Sequence, residues 1–329
     1  MKTHQFGNSG ELLSRIGLGC FSMSGAYGEP DDEESIATIQ KAVEMGVNLL
    51  DTSASYGQGH NHRLIGEALK GDLRKQVFLH SKTGTIKTLA GSQAQGSGTP
   101  ARLRQICEIS LKNLGTDYLD CFCMSRIDPT VPVEESVGEM GRLIDEGKTR
   151  FISLSEASPQ SLRRAYKERE LISLQFEYSL WTRDVEEEHF QTCQDLGLAL
   201  MAYAPLGYGF LTGAIENVGS LSKEDTRQKF PRFSEVNAQS NLHKVKVIEQ
   251  VAARHGATAA QIAIAWTFDQ SDFVFPIPGC KSRRHLQENL DAIHIFLTAE
   301  DRELLDDVFK PGTVAGDRYP PDGMARVNL

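Results

Sequence analysis

Short apolar runs of strand length alternate with amphipathic segments along nearly the whole chain. Eight such runs stand out, at residues 16–20, 47–51, 77–82, 118–124, 150–155, 171–175, 198–203 and 273–277. Between them the apolar residues fall at helical spacing, as with Ile36, Ile39 and Val43, or Leu103, Ile106, Leu111 and Leu114. Thr99-Pro100 and Ser158-Pro159 read as helix starts, a cap followed by proline in the first turn, and Gly46 and Gly115 read as stops. Parallel strands need a long crossover, usually a helix. Eight strand–helix units with no linker therefore predict one α/β domain over residues 1–329, a (β/α)8 TIM barrel. The barrel and its helices take about residues 5–310, and residues 311–329 form a tail without periodicity. A hairpin is expected over residues 6–16, with Asn8-Ser9-Gly10 at its turn. Residues 84–98, rich in Gly, Ser, Gln and Thr, read as a mobile surface loop. A long excursion over residues 204–240 separates the seventh strand from helices at 241–254 and 258–269. A doubly wound dinucleotide fold fits less well. The Gly17/Gly19 and Gly57/Gly59 pairs lack the third glycine of G-x-G-x-x-G, and no strand leads into such a helix start.

Composition narrows the partners. The net charge of −9 argues against nucleic acid or an anionic membrane surface as the main partner, although it allows small basic sites. No apolar run reaches membrane-spanning length, and the first residues lack the apolar core of a signal peptide. Six cysteines lie scattered, mostly in apolar runs, as reduced cytoplasmic thiols do; Cys121 and Cys123 share a strand face, but nothing completes a metal site. The expectation is a cytoplasmic protein with no metal and a small-molecule substrate. Its oligomeric state stays open, a monomer included.

The chemistry-bearing residues gather at strand ends. Asp51 closes the second strand, Tyr56 follows in its loop, and Lys82 ends the third. The C-terminal rim of a barrel is where active sites are built. An ammonium held by a carboxylate lowers the pKa of a neighbouring phenol, which suits a general acid. An ordinary buried ion pair with a tyrosine nearby is the competing reading of these residue types.

A wider pattern joins these residues. Gly17-Leu18-Gly19-Cys20, Asp51-Thr52 leading to Tyr56-Gly57, Ser81-Lys82, Leu154-Ser155-Glu156-Ala157, Glu177-Tyr178-Ser179-Leu180-Trp181, Ala202-Tyr203-Ala204-Pro205-Leu206-Gly207 and Pro276-Ile277-Pro278-Gly279-Cys280-Lys281 occur in consistent order. Together they resemble the aldo-keto reductases, in particular the microbial and plant auxin-induced-like members. The resemblance implies a barrel that binds NADP(H) across its rim and reduces carbonyls by hydride transfer. It makes Tyr56 the proton donor, Lys82 the residue that tunes it, and Asp51 the partner of Lys82. Where the family carries a catalytic histidine, this chain has Ser125, within Cys123-Met124-Ser125-Arg126-Ile127-Asp128. A serine hydroxyl is too short to replace the imidazole directly, and a water could bridge the gap. His60, His62 and His80 are the nearest substitutes in sequence, and each reads more simply as a surface or core histidine.

The resemblance also implies a cofactor site. Gly19, Cys20, Phe21 and Asp51 lie at its first strand ends, and Ser155, Glu156 and Gln175 match the positions that hold the nicotinamide carboxamide. Tyr203 matches the ring on which the nicotinamide stacks. Ala204, Pro205, Leu206, Gly207 and Gly209 begin the excursion, which would lie near the pyrophosphate and close over it. Gly279, Lys281, Ser282, Arg284 and His285 open the last barrel helix, with Arg283 among them. Cations and free N–H groups at a helix start favour a phosphate, hence NADPH over NADH. Glu288 and Asn289 match adenine-binding positions. Three functions remain in view: carbonyl reduction, a redox-sensing or accessory NADP(H)-binding barrel, and reduction of activated C=C bonds. Retention of Asp51, Tyr56 and Lys82 favours the first.

Overall fold

The computed structural model describes residues 1–84 and 97–329, so most of the loop expected over residues 84–98 lies outside the described residues. Strands β1 (Thr3–Gln5) and β2 (Leu12–Ser14) pair antiparallel, with Gly10 at φ +76° closing the turn. The hairpin thus starts three residues earlier than its sequence suggests. The barrel strands follow: β3 (Leu18–Gly19), β4 (Leu49–Ser53), β5 (Phe78–Lys82), β6 (Leu119–Met124), β7 (Thr149–Ser155), β8 (Ser173–Glu177), β9 (Ala199–Tyr203) and β10 (Val274–Pro276). Each pairs in parallel with the next in chain order. Gly17 and Gly19 donate to Pro276 O and Pro278 O at 3.0 and 3.1 Å, which closes the ring between β3 and β10. Glycine is needed there, because a Cβ on Gly19 would stand 2.7 Å from Ile277 O.

Helices α1 (Asp32–Glu44), α2 (His60–Ala68), α3 (Pro100–Leu114), α4 (Val133–Asp145), α5 (Pro159–Glu168) and α6 (His189–Leu196) fill the first six crossovers. Then come α7 (Glu235–His255), α8 (Ala259–Asp269), α9 (Arg283–Asp291), α10 (Ala299–Val308) and a short α11 (Pro321–Met324) in the tail. Local chemistry sets many ends: Asp31 accepts from Glu34 N, Thr258 and Gln261 form a capping box, and Gly115 ends α3 at φ +64°. Helix α7 starts six residues before its expected position, because Ser234 caps it and Ala238 is already buried.

Two apolar layers result. The barrel wall and its helices enclose the larger one. The smaller fills the barrel interior, where Phe6 from the hairpin plugs the bottom against Phe78 and Phe275, at ring distances of 5.6 and 5.0 Å. The two-residue period of a strand decides what stands above it. In β4, Leu49 and Asp51 share the inner face, and in β5, Phe78, His80 and Lys82 do. Apolar residues therefore floor the interior, and polar ones lie toward the rim.

Candidate active site

Strand β4 runs two residues beyond its expected end, so Asp51 lies inside the barrel and not at its edge. The residue is 3% exposed, and both carboxylate oxygens are engaged. Oδ2 is held by Lys82 Nζ, and Oδ1 accepts from His80 Nδ1 at 2.9 Å and from Gln175 Nε2 at 2.8 Å. His80 is the register partner of Asp51 across β4 and β5, and its Nε2 meets Ser153 Oγ at 3.0 Å. A polar layer thus crosses the interior from β4 through β5 and β7 to β8. Burial opposes the charge on Asp51, but Lys82 and His80 overcome it and hold the carboxyl below its ordinary range. Burial likewise opposes the Lys82 charge, and the Asp51 carboxylate outweighs it, so Lys82 stays an ammonium.

Tyr56 stands beside this pair, with Lys82 Nζ 5.1 Å from its ring centroid. Phe21 packs on the ring at 4.7 Å, and Tyr27 lies edge-on to Phe21. The sequence suggested a lowered phenol pKa, and the structure corrects this. Burial raises it, outweighing the pull of Lys82, whose charge Asp51 already compensates. The hydroxyl is therefore a stored proton and not a partial phenolate.

Ser125 follows the last residue of β6. Its Oγ accepts from Gly84 N at 2.6 Å, and its amide donates to Thr83 Oγ1 at 3.1 Å, so the serine ties the ends of β5 and β6 together. The three histidines have other partners. His60 bridges Ser24 and Asp32, His62 meets Ser81 at 2.9 Å, and His80 supports Asp51.

The cofactor-related expectations divide. Gln175 faces Asp51 through its amide nitrogen, while its side-chain oxygen has no partner among the described residues. Ser155 is buried at the rim end of β7. Glu156, expected to accept from a carboxamide, is filled by protein donors instead. Arg318 bonds both its oxygens, at 3.3 and 2.6 Å, and Tyr203 OH and Glu177 N add 2.8 and 3.0 Å to Oε1. The Tyr203 hydroxyl also meets Tyr319 OH at 2.8 Å, so the tail sits directly on this side of the rim. Backbone strain collects here, with Glu156, Ala204 and Tyr208 at φ +54°, +51° and +57°, as happens where a site over-determines the chain.

Beyond β9, the excursion is a series of short 3-10 turns that begins at Gly207. Gly207, at φ +55°, lies against the Trp181 indole, where a Cβ would come within 2.7 Å. The excursion spans the rim to reach the loop after β3. Arg227 stacks 4.8 Å over Tyr27 and donates to Tyr208 O, and Lys281 Nζ donates to Tyr27 O and Glu29 O at 3.1 and 2.8 Å. At the start of α9, Ser282 caps the helix and Arg283 is paired with Glu34 at 2.7 Å. Arg284 is exposed and its hydrogen-bond partner is His285, at 2.9 Å. Glu288 and Asn289 lie one turn on, half-buried and buried.

Sequence reasoning named His80 only as a substitute for the missing histidine, not as the partner of Asp51, and gave no role to Arg126, Glu177, Arg318 or Tyr319. Arg126 could have been noticed as the neighbour of Ser125. Nothing local marks Arg318 or Tyr319, whose roles depend on where the tail lands. Among the described residues no group of three or more His, Cys, Asp or Glu is placed to hold a metal, and no helix is long and apolar enough to cross a membrane. All six cysteines are buried and unpaired.

Comparison with known proteins points one way. The aldo/keto reductase family model matches residues 15–310. Probable aldo-keto reductase 1 of Glycine max is 37% identical over 318 residues, which covers 96% of this chain and 91% of that protein. The glycerol dehydrogenase structure from Gluconobacter oxydans is similar at TM-score 0.84 and 26% identity, covering 97% of this chain and 98% of that one. An aldo-keto reductase from Klebsiella pneumoniae, solved in complex with NADPH, is similar at TM-score 0.75 and 26% identity, covering 96% and 99%.

Proposed function

The chain belongs to the aldo/keto reductase family, and from that membership and its rim geometry we propose that it reduces an aldehyde or ketone to an alcohol with NADPH. The observation that carries the reading is the buried Lys82–Asp51 pair beside a protonated Tyr56. A general acid must hold its proton until the carbonyl oxygen gains charge, and burial keeps the Tyr56 phenol neutral. Lys82 then stabilises the phenolate left behind. Asp51, fixed by His80 and Gln175, keeps Lys82 in place and charged.

The residues present suit a nicotinamide dinucleotide phosphate, the kind of ligand with which the Klebsiella pneumoniae aldo-keto reductase was solved. Ser155 Oγ and the free Gln175 oxygen offer a donor and an acceptor for a carboxamide. Ser282, Arg284 and the amides opening α9 suit a phosphate. Lys281 is committed to two loop carbonyls and Arg283 to Glu34, which leaves Arg284 the main cation for that group. When bound, NADPH supplies the hydride. Tyr203, held by Glu156 and Tyr319, offers a fixed ring at the same place.

The decisive measurement is NADPH oxidation with a panel of aldehydes and ketones, beside Tyr56→Phe. The variant is expected to lose about 100-fold or more in kcat while binding NADPH nearly as well. If it keeps most of the parent's turnover, the proton comes from elsewhere.

A further inference from the structure

Most charges at the barrel mouth pair off. Lys82 pairs with Asp51, Arg318 with Glu156, and Arg232 approaches Glu177 at 3.7 Å. Arg126, half-buried just beyond β6, has no carboxylate in ion-pairing range among the described residues. It is nevertheless held in place. Its Nη1 donates to Ser125 O at 2.6 Å and lies 3.5 Å from Ser155 Oγ. Nε and Nη2 have no partner among the described residues, and unlike the sealed Arg318 Nε they are not shut away from solvent.

A guanidinium fixed through Nη1 presents its Nε–Nη2 edge as a planar fork, and that fork matches the two oxygens of a carboxylate. Burial and the nearby Arg318 oppose the Arg126 charge, Glu156 favours it, and the guanidinium stays charged. Glu156 itself is consumed by Arg318 and cannot serve as its counter-ion. Beside Arg126 stands the small side chain of Ser125, so no bulky residue at that position separates the guanidinium from the end of β5. We propose that the Arg126 Nε–Nη2 edge anchors a carboxylate on the substrate, so that the protein prefers aldehydes or ketones that carry one. This rests on the reading of the site as a carbonyl reductase.

The test compares 4-carboxybenzaldehyde with its neutral methyl ester on the full chain saturated with NADP+, which cannot reduce them. Equilibrium binding is read by titration calorimetry on that complex, and turnover is followed separately with NADPH. The parent is expected to bind the acid about tenfold or more tightly than the ester, as a charged hydrogen-bonded pair implies. In folded Arg126→Gln, checked by its thermal transition, the acid-to-ester preference should fall to near one. Arg126→Lys, which keeps the charge without the fork, should give an intermediate value. Equal affinities in the parent, no measurable binding of the acid, or an unchanged preference in Arg126→Gln would overturn the proposal. If the preference appears but neither compound is reduced, the anion site stands and the carbonyl-reductase reading fails.

Discussion

At residue 125 the chain departs from the histidine that the family resemblance implies, and the serine there has structural work. Its hydroxyl accepts from Gly84 N and its amide bonds Thr83, so it fastens the loop that leaves β5. A developing oxyanion at the site therefore has Tyr56 as its evident donor. Adding a second should help where the donor is simply missing. Ser125→His is expected to raise kcat on a small neutral aldehyde about tenfold, and to lower activity on a substrate that fills the space beside Arg126. Steady-state kinetics on both substrate types checks this. No change on either would mean that residue 125 does not face the reaction.

Among the elements, the tail after α10 is the one that sequence periodicity left unassigned and that binds the rim. Arg318 and Tyr319 reach Glu156, Tyr203 and Tyr208, and Asn328 N and Leu329 O bond Glu156 O and Ser158 N at 2.8 Å each. The tail is thereby sewn to the loop after β7. Its ion pair is almost wholly buried, with Glu156 at 0% and Arg318 at 3% exposure. Removing one partner of such a pair leaves an uncompensated charge. Arg318→Met should lower stability by about 3 kcal/mol in urea unfolding. Glu156→Gln combined with Arg318→Met should recover a large part of that loss, a coupling that a double-mutant cycle reads directly.

For the whole molecule, buried histidines set the response to acid. His62 is wholly buried, bonds Ser81 through Nε2, and leaves Nδ1 without a partner among the described residues. Burial pushes its pKa down to about 3, and burial lowers His80 and His189 as well. Below pH 6.5 the unfolded chain protonates the His62 ring while the native protein keeps it neutral. Stability therefore falls as pH drops through that range, by about 1.4 kcal/mol per pH unit from His62, and His80 and His189 act in the same direction. Urea midpoints measured between pH 6.5 and 5 should show this loss, and His62→Gln should flatten the slope by about one proton. An unchanged slope would mean that His62 titrates alike in both states.

The barrel was legible from the chain alone, because eight apolar runs with helical partners repeat without a linker and no strand leads into the glycine-rich helix start of a doubly wound sheet. The sequence also marked Asp51, Tyr56 and Lys82, since residues near neighbouring strand ends share a rim whatever the loops do. Its boundaries slipped where burial does not track pairing. Leu171 and Ile172 are buried like strand residues, yet β8 starts at Ser173. Tertiary structure alone decided the rest. Gln175 reaches Asp51 across the barrel over a separation of 124 residues, and Arg318 reaches Glu156 over 162. It also set the Tyr56 proton affinity, because burial competes there with Lys82 and only the packed interior fixes which one wins. Periodicity is local along the chain, whereas desolvation and charge pairing depend on what the fold brings together.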